Sequence, residues 1–277
     1  MNRNILAVMA ILLALAAAAV ATTRAIARPA AKNIVTVEAS DYSFKAPDKV
    51  TAGTLTFRML NRGKDLHHVW IVRLKDGKRL SDLLEEFKSG HAAPSWVVDM
   101  GGPGAAGPGG ETSATISMSP GRYALICIIP ASDGVPHIMK GMARELTVVP
   151  GNSKAEARPA PDVVVDLIDY DFVFSRPLAA GAQRWLVRNP AAQTHEIVVF
   201  KLNDGATVAG LLSWIEKGEG EPAGMPVGGT SGLASGIENE VTLDLVPGRY
   251  VLVCFVPDVR DGAPHFVHGM LNEIEIR

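Results

Sequence analysis

Two stretches of this 277-residue chain gather side chains suited to a soft metal. CIIPASDGVPHIMKGM, residues 127 to 142, sets a cysteine, a histidine and a methionine on one loop-sized segment. CFVPDVRDGAPHFVHGM, residues 254 to 270, repeats the order, and Cys127 and Cys254 are the only cysteines in the chain. Thiolate and thioether are soft donors that favour Cu(I), whereas imidazole suits both copper oxidation states. A site built from all three can follow a change in metal charge without large rearrangement.

The two stretches belong to a longer internal repeat. A shift of 128 residues lays DYSF (41–44) on DYDF (169–172), Asn61 on Asn189, His67 on His195, and LKDG (74–77) on LNDG (202–205). PGRYALIC (120–127) falls on PGRYVLVC (247–254) at a shift of 127, and PH...GM (136–142) on PH...GM (264–270) at 128 again. Two copies of one domain follow, residues 33–150 and 163–277. GNSKAEARPAPD, 151–162, is polar, contains proline and reads as the linker between them.

Within each copy the hydrophobic period is two. Leu55, Phe57 and Met59 alternate with Thr54, Thr56 and Arg58, and Trp185 and Val187 take the matching inward places in the second copy. Short alternating strands between glycine and proline turns predict an all-β protein of two tandem Greek-key β-sandwiches. Each has a short helical insert, RLSDLLEEFKSG (79–90) and TVAGLLSWIEKG (207–218). GGPGAAGPGG, 101–110, reads as a surface linker between strands.

A fourth donor comes from upstream. His67 and His68 are adjacent, and side chains alternate faces along a strand, so one of them points inward. The repeat selects His67, because His195 matches it while Glu196 matches His68. His68, His91 and His268 have no counterparts and read as surface histidines, and Met139, which matches Val267, reads as ordinary packing. Each copy then offers two imidazoles, a thiolate and a thioether: His67, Cys127, His137 and Met142, and His195, Cys254, His265 and Met270. Cys127 and Cys254 take the same place in two separate cores, which argues against a disulfide between them.

This arrangement resembles the cupredoxin family of blue copper proteins, whose signature is an upstream His followed much later by Cys, His and Met on one loop. The resemblance covers nearly everything beyond the first 30 residues. It implies that the eight residues just named are copper ligands, with one type 1 site per domain and two per chain. The Cys-to-His interval, nine residues in one copy and ten in the other, is similar to the long ligand loops of copper nitrite reductases. The family often places Asn after the upstream His to brace the site; here that place holds His68 or Glu196.

Composition narrows the function. A net charge of −2 without a block of like charges leaves no basic surface for nucleic acid. Residues 1–27 have the layout of a signal peptide, with Arg3, an apolar run and small-residue exits; an uncleaved membrane anchor is the alternative. Either way the remainder is expected to be periplasmic or secreted. Two-domain copper enzymes of this family carry His beside the cysteine and His-x-His pairs. This chain has Ile126 and Ile128, or Val253 and Phe255, beside its cysteines, and no His-x-His. The expectation is a carrier that is not an enzyme, passing electrons through His137 and His265 to a redox partner protein such as a cytochrome or another copper protein. Copper storage, delivery or sensing, or a copper-free binding scaffold, are the alternatives. Nothing in the sequence bears on oligomeric state.

Overall fold

The alternating segments form strands in both halves. In the computed structural model, which describes residues 33–89, 94–151, 158–217 and 220–277, the first half runs β1 (Ile34–Ser40), β2 (Ser43–Lys45), β3 (Lys49–Thr51), β4 (Gly53–Asn61), β5 (Trp70–Leu74), α1 (Leu80–Ser89), β6 (Val97–Asp99), β7 (Glu111–Met118), β8 (Gly121–Ile126) and β9 (Ala143–Val149). The second runs β10 (Val163–Ile168), β11 (Asp171–Phe174), β12 (Gly181–Arg188), β13 (His195–Leu202), α2 (Val208–Lys217), β14 (Gly224–Leu233), β15 (Glu238–Leu245), β16 (Gly248–Val253) and β17 (Leu271–Ile276). The 1–27 segment and His91 lie outside the described residues. Among the described residues no helix is long and apolar enough to cross a membrane.

Each half is a two-sheet sandwich. One sheet of the first half has the order β2-β1-β4-β7, and the facing sheet has β3-β9-β8-β5-β6. The second half repeats this with β11-β10-β12-β15 and β14-β13-β16-β17. Leu55, Phe57 and Met59 of β4 and Trp185 and Val187 of β12 are buried, as the period of two requires. Both helical inserts form where expected, each burying one leucine, Leu83 and Leu211.

The halves join along a seam with approximate two-fold symmetry. β7 pairs antiparallel with β15, Ala114 opposite Val241 and Thr115 opposite Glu240, which fuses two four-stranded sheets into one of eight. Ala114 and Val241 are equivalent positions of the repeat, so the axis passes beside that pair.

The second part of the seam corrects the expectation for residues 101–110. Gly101 to Gly107 are buried rather than surface-lying. Pro103 bridges Thr230 and Met100 bridges Leu233, while the Gly101 amide donates to the Gly232 carbonyl at 2.8 Å and the Gly104 amide to the Gly229 carbonyl at 3.2 Å. Asn239 locks the contact: its side-chain oxygen accepts from the Gly102 amide, and its Nδ2 donates to the Met100 carbonyl, both at 2.9 Å. The glycines are there because backbones meet. A Cβ on Gly102 would stand 2.0 Å from the Val69 carbonyl oxygen, and one on Gly104 2.8 Å from the Gly229 carbonyl carbon. A glycine-rich composition thus served close backbone approach, not mobility.

Candidate metal centres

The ligand loop is folded by its own short-range signals. β8 and β16 begin at Gly121 and Gly248, and Tyr123 and Tyr250 each donate a hydroxyl hydrogen bond of 2.8 Å to a carbonyl four residues back, Ser119 and Val246. Cys127 and Cys254 follow directly. The Asp-Gly pairs 133–134 and 261–262 then turn the chain, the Asp side chains accepting from the amides of Val135 and Ala263. Pro136 and Pro264 lead into single 3-10 turns, His137–Lys140 and His265–His268, closed by Gly141 and Gly269 at φ of 105° and 110°. That left-handed closure explains the Gly before each methionine.

Backbone hydrogen bonds bring the three loop residues together. The Ile138 amide donates to the Cys127 carbonyl, the Met142 amide to the His137 carbonyl, and the Cys127 amide to the Met142 carbonyl. The second half repeats all three with Phe266, Cys254, Met270 and His265. The upstream histidines arrive from the neighbouring strand. His195 opens β13, and His67 lies just before β5, bridged to Ala106.

The His, Cys and His side chains of each half converge. His67 Nδ1 lies 3.2 Å from His137 Nδ1, and Cys127 Sγ is 3.5 Å from His137 Nδ1. In the second half the corresponding separations are 3.0 Å and 3.4 Å. In each group the His, Cys and His donor atoms all lie within 4.8 Å of one another, and all three residues are buried. Met142 and Met270 are fully buried beside them in sequence and by backbone hydrogen bond. The cysteines are free thiols.

The outer contacts fix which nitrogen faces inward. His67 Nε2 donates to Asp41 Oδ1 at 2.9 Å, and His195 Nε2 to Asp169 Oδ1 at 2.6 Å. His265 Nε2 donates to Gln193 Oε1 at 3.1 Å. With Nε2 protonated, the Nδ1 lone pairs of His195 and His265 point at each other. Two lone pairs at 3.0 Å repel, and a cation between them and the sulfur turns the repulsion into attraction. The donor set fits a metal ion in that place. His137 Nε2 has no hydrogen-bond partner; Asp65 Oδ2, at the position equivalent to Gln193, stands 3.7 Å away.

Burial disfavours the charged forms of both cysteines and of His137, His195 and His265. It pushes the Cys127 thiol up to about 12 and raises Cys254 further, with the Glu196 carboxyl adding to the rise. It lowers His137 and His265 to about 4, each helped by the facing histidine, and it also lowers His195. Neutral imidazole and a thiol that ionises on metal binding are the forms a soft-metal site requires.

Two expectations need correction. His68 is buried, not on the surface: its Nε2 accepts the Ile128 amide at 3.1 Å, and burial first, then His137 and His67, lower it to about 3. The residues that follow it, Val69 and Trp70, meet Ser231 and Gly232 of the second half. Glu196 does the same work in that half, where its Oε1 accepts the Phe255 amide at 3.1 Å and its own amide donates to Cys254 Sγ at 3.4 Å. His68 and Glu196 therefore tie the histidine strand to the residue after the cysteine, the bracing role that the resemblance assigns to Asn. Met139 is the second correction: it is 38% exposed and its counterpart Val267 is 61% exposed, so neither is core packing.

Several supporting residues were not singled out from sequence. Asn61 and Asn189 each donate two hydrogen bonds to carbonyls, from Asp65 and Ala106 and from Gln193 and Leu233. Tyr42 packs its ring 4.8 Å from that of His137, and Tyr170 lies 5.3 Å from His265. Tyr42 donates to Asp65 at 3.1 Å; Tyr170 is bonded to Asp258, which Arg260 also clamps at 3.0 Å. The signal was present in the repeated DYSF and DYDF, which preserve the Asp-Tyr pair in both copies. His268 is half-buried, paired with Asp261 at 3.2 Å, and Lys140 pairs with Asp133 at the same place of the first loop.

No protein-family model matches the chain, and no curated protein does. Among solved structures, it is similar to an auracyanin from Roseiflexus castenholzii at 22% identity, covering 44% of this chain and 100% of that one, with a TM-score of 0.30. A Cu-containing nitrite reductase from Thermus scotoductus matches 88% of this chain and 61% of its own at 15% identity, TM-score 0.25. A multicopper oxidase matches 88% of both chains at 13% identity, TM-score 0.26. The fold of each half is a two-sheet β-sandwich. Donor chemistry carries the metal assignment: two imidazoles and a thiolate, with a buried methionine adjoining, can hold one type 1 copper in each half.

Proposed function

We propose that this chain is an exported electron-transfer protein with one type 1 copper site in each half. The ligands are His67, Cys127, His137 and Met142 in the first, and His195, Cys254, His265 and Met270 in the second. The observation that carries the proposal is the paired Nδ1···Nδ1 approach, 3.2 Å and 3.0 Å, each beside a buried thiol. Copper supplies a one-electron Cu(II)/Cu(I) couple when bound.

The chain's own residues set the conditions for that couple. Asp41 and Asp169 hold the upstream histidines with Nδ1 inward, and Gln193 does so for His265. The burial of all four histidines and both cysteines excludes water from the donors. Tyr42 and Tyr170 cover the loop histidines, so electron exchange with a partner passes over these rings and the apolar residues around them. Val135 and Met139 stand exposed at the first loop, and Val259 (80% exposed) and Val267 at the second. Small exposed apolar patches suit brief docking to a redox protein.

Support for a carrier over an enzyme comes from the neighbours of the cysteines. Ile126, Ile128, Val253 and Phe255 offer no imidazole to pass electrons on to a catalytic copper. The test is stopped-flow mixing of the copper-loaded protein with a reduced small cytochrome. Rapid, reversible bleaching of the thiolate-to-copper band supports the carrier. Tight copper retention with no redox cycling on that timescale favours the storage or delivery alternative.

A further inference from the structure

The seam between the halves contains one large side chain that its symmetry does not require. Trp70, at the head of β5, is buried where the two halves meet, and its equivalent in the second half is Val198. Its ring meets that of His68 edge-on at 6.1 Å, and His68 accepts the amide of the residue after Cys127. The indole also lies against Gly232, where a Cβ would be 2.1 Å from Cζ2. The next residue, Leu233, pairs with His195 in the sheet, and its carbonyl is held by Asn189.

A second path leaves the same place. Asp99 lies near the indole, and Thr194, adjacent to His195, donates its hydroxyl to Asp99 Oδ2 at 2.8 Å. The Trp70 indole N–H faces that same Asp99 carboxyl.

We propose that Trp70 couples the two ligand sets electronically, so that the halves exchange an electron within one chain. This rests on the reading of two copper sites given above. One electron leaves reduced copper in one half and reaches oxidised copper in the other; Trp70 lends its orbitals to the path and is not itself oxidised. The chain then behaves as one internally connected two-electron carrier.

The test uses the full chain loaded with copper. Cys127→Ser and Cys254→Ser variants first give the optical and EPR spectra of each remaining site alone. A sub-stoichiometric pulse of reductant on the doubly loaded protein then follows how the electron redistributes between the two spectra. The expected result is a phase whose rate is independent of protein concentration, absent from both single-site variants. In Trp70→Phe this phase slows by an order of magnitude or more, while both spectra, the copper content and the thermal midpoint stay close to those of the parent. An intramolecular phase of unchanged rate in Trp70→Phe, or no such phase in the doubly loaded parent, overturns the role of Trp70. Failure to bind copper at one half would instead overturn the two-site reading.

Discussion

The Nδ1 atoms of His195 and His265 face each other at 3.0 Å, while the Nε2 of each ring is engaged by Asp169 or Gln193. The orientation leaves neither ring free to turn its lone pair away. Metal binding is therefore expected to stabilise the fold. A metal present at a hundred times its Kd adds about 2.7 kcal/mol per site. A chain of this size gains ~2–4 °C per kcal/mol. Copper loading should raise the thermal midpoint by several degrees, and a chelator that strips it should reverse the shift, as read by calorimetry.

Removing an outer partner of a ligand histidine should weaken the metal without dismantling the fold. Asp169→Ala frees His195 Nε2 and lets the ring and its tautomer relax. A loss of ~10–100-fold in copper affinity at that site is expected, with the other site unaffected. Competition against a chelator of known affinity measures both.

The seam tolerates no side chain where it is tightest. In Gly232→Ala the new methyl meets the Trp70 ring, which is itself enclosed, so neither can move away cheaply. Overpacking of this kind costs ~1–3 kcal/mol. Denaturant unfolding should show that loss, and Trp70→Phe should recover part of it when combined with Gly232→Ala.

Asp99 supplies a pH dependence. Burial raises its carboxyl above the ordinary value, and the hydrogen bond from Thr194 offsets this only in part. An acid whose folded pKa is raised binds its proton more tightly in the folded state. Its stabilising contribution is therefore present below the unfolded value of about 3.9 and is lost as pH rises through the folded value. Asp99→Asn keeps an acceptor for Thr194 and removes the charge. That variant should be more stable than the parent at pH 7, and the difference should vanish as pH falls below ~4. Thermal unfolding across that range decides it.

Much of the site was legible because the chain states it twice. His67 and His195, or Met142 and Met270, each gain meaning from a partner at a shift of 128 residues, and Gly-Met after His encodes the left-handed closure of the 3-10 turn. What was not legible lies where the two copies meet. His68 reads as a surface residue until its ring is found holding the Ile128 amide, and GGPGAAGPGG reads as a linker until Gly229 and Gly232 arrive opposite. Contacts between halves follow from a symmetry axis that local periodicity does not contain. Met139 failed for another reason: equivalence to Val267 showed that both places are apolar, not which way they face.

The most direct measurement is copper stoichiometry read together with the thiolate-to-copper absorption band on the same sample. Two coppers per chain are predicted, each with an intense visible band, and Cys127→Ser and Cys254→Ser should each abolish one copper and its own band. Copper that binds without a thiolate band, or a band that survives in the Cys127→Ser, Cys254→Ser double variant, would contradict the account.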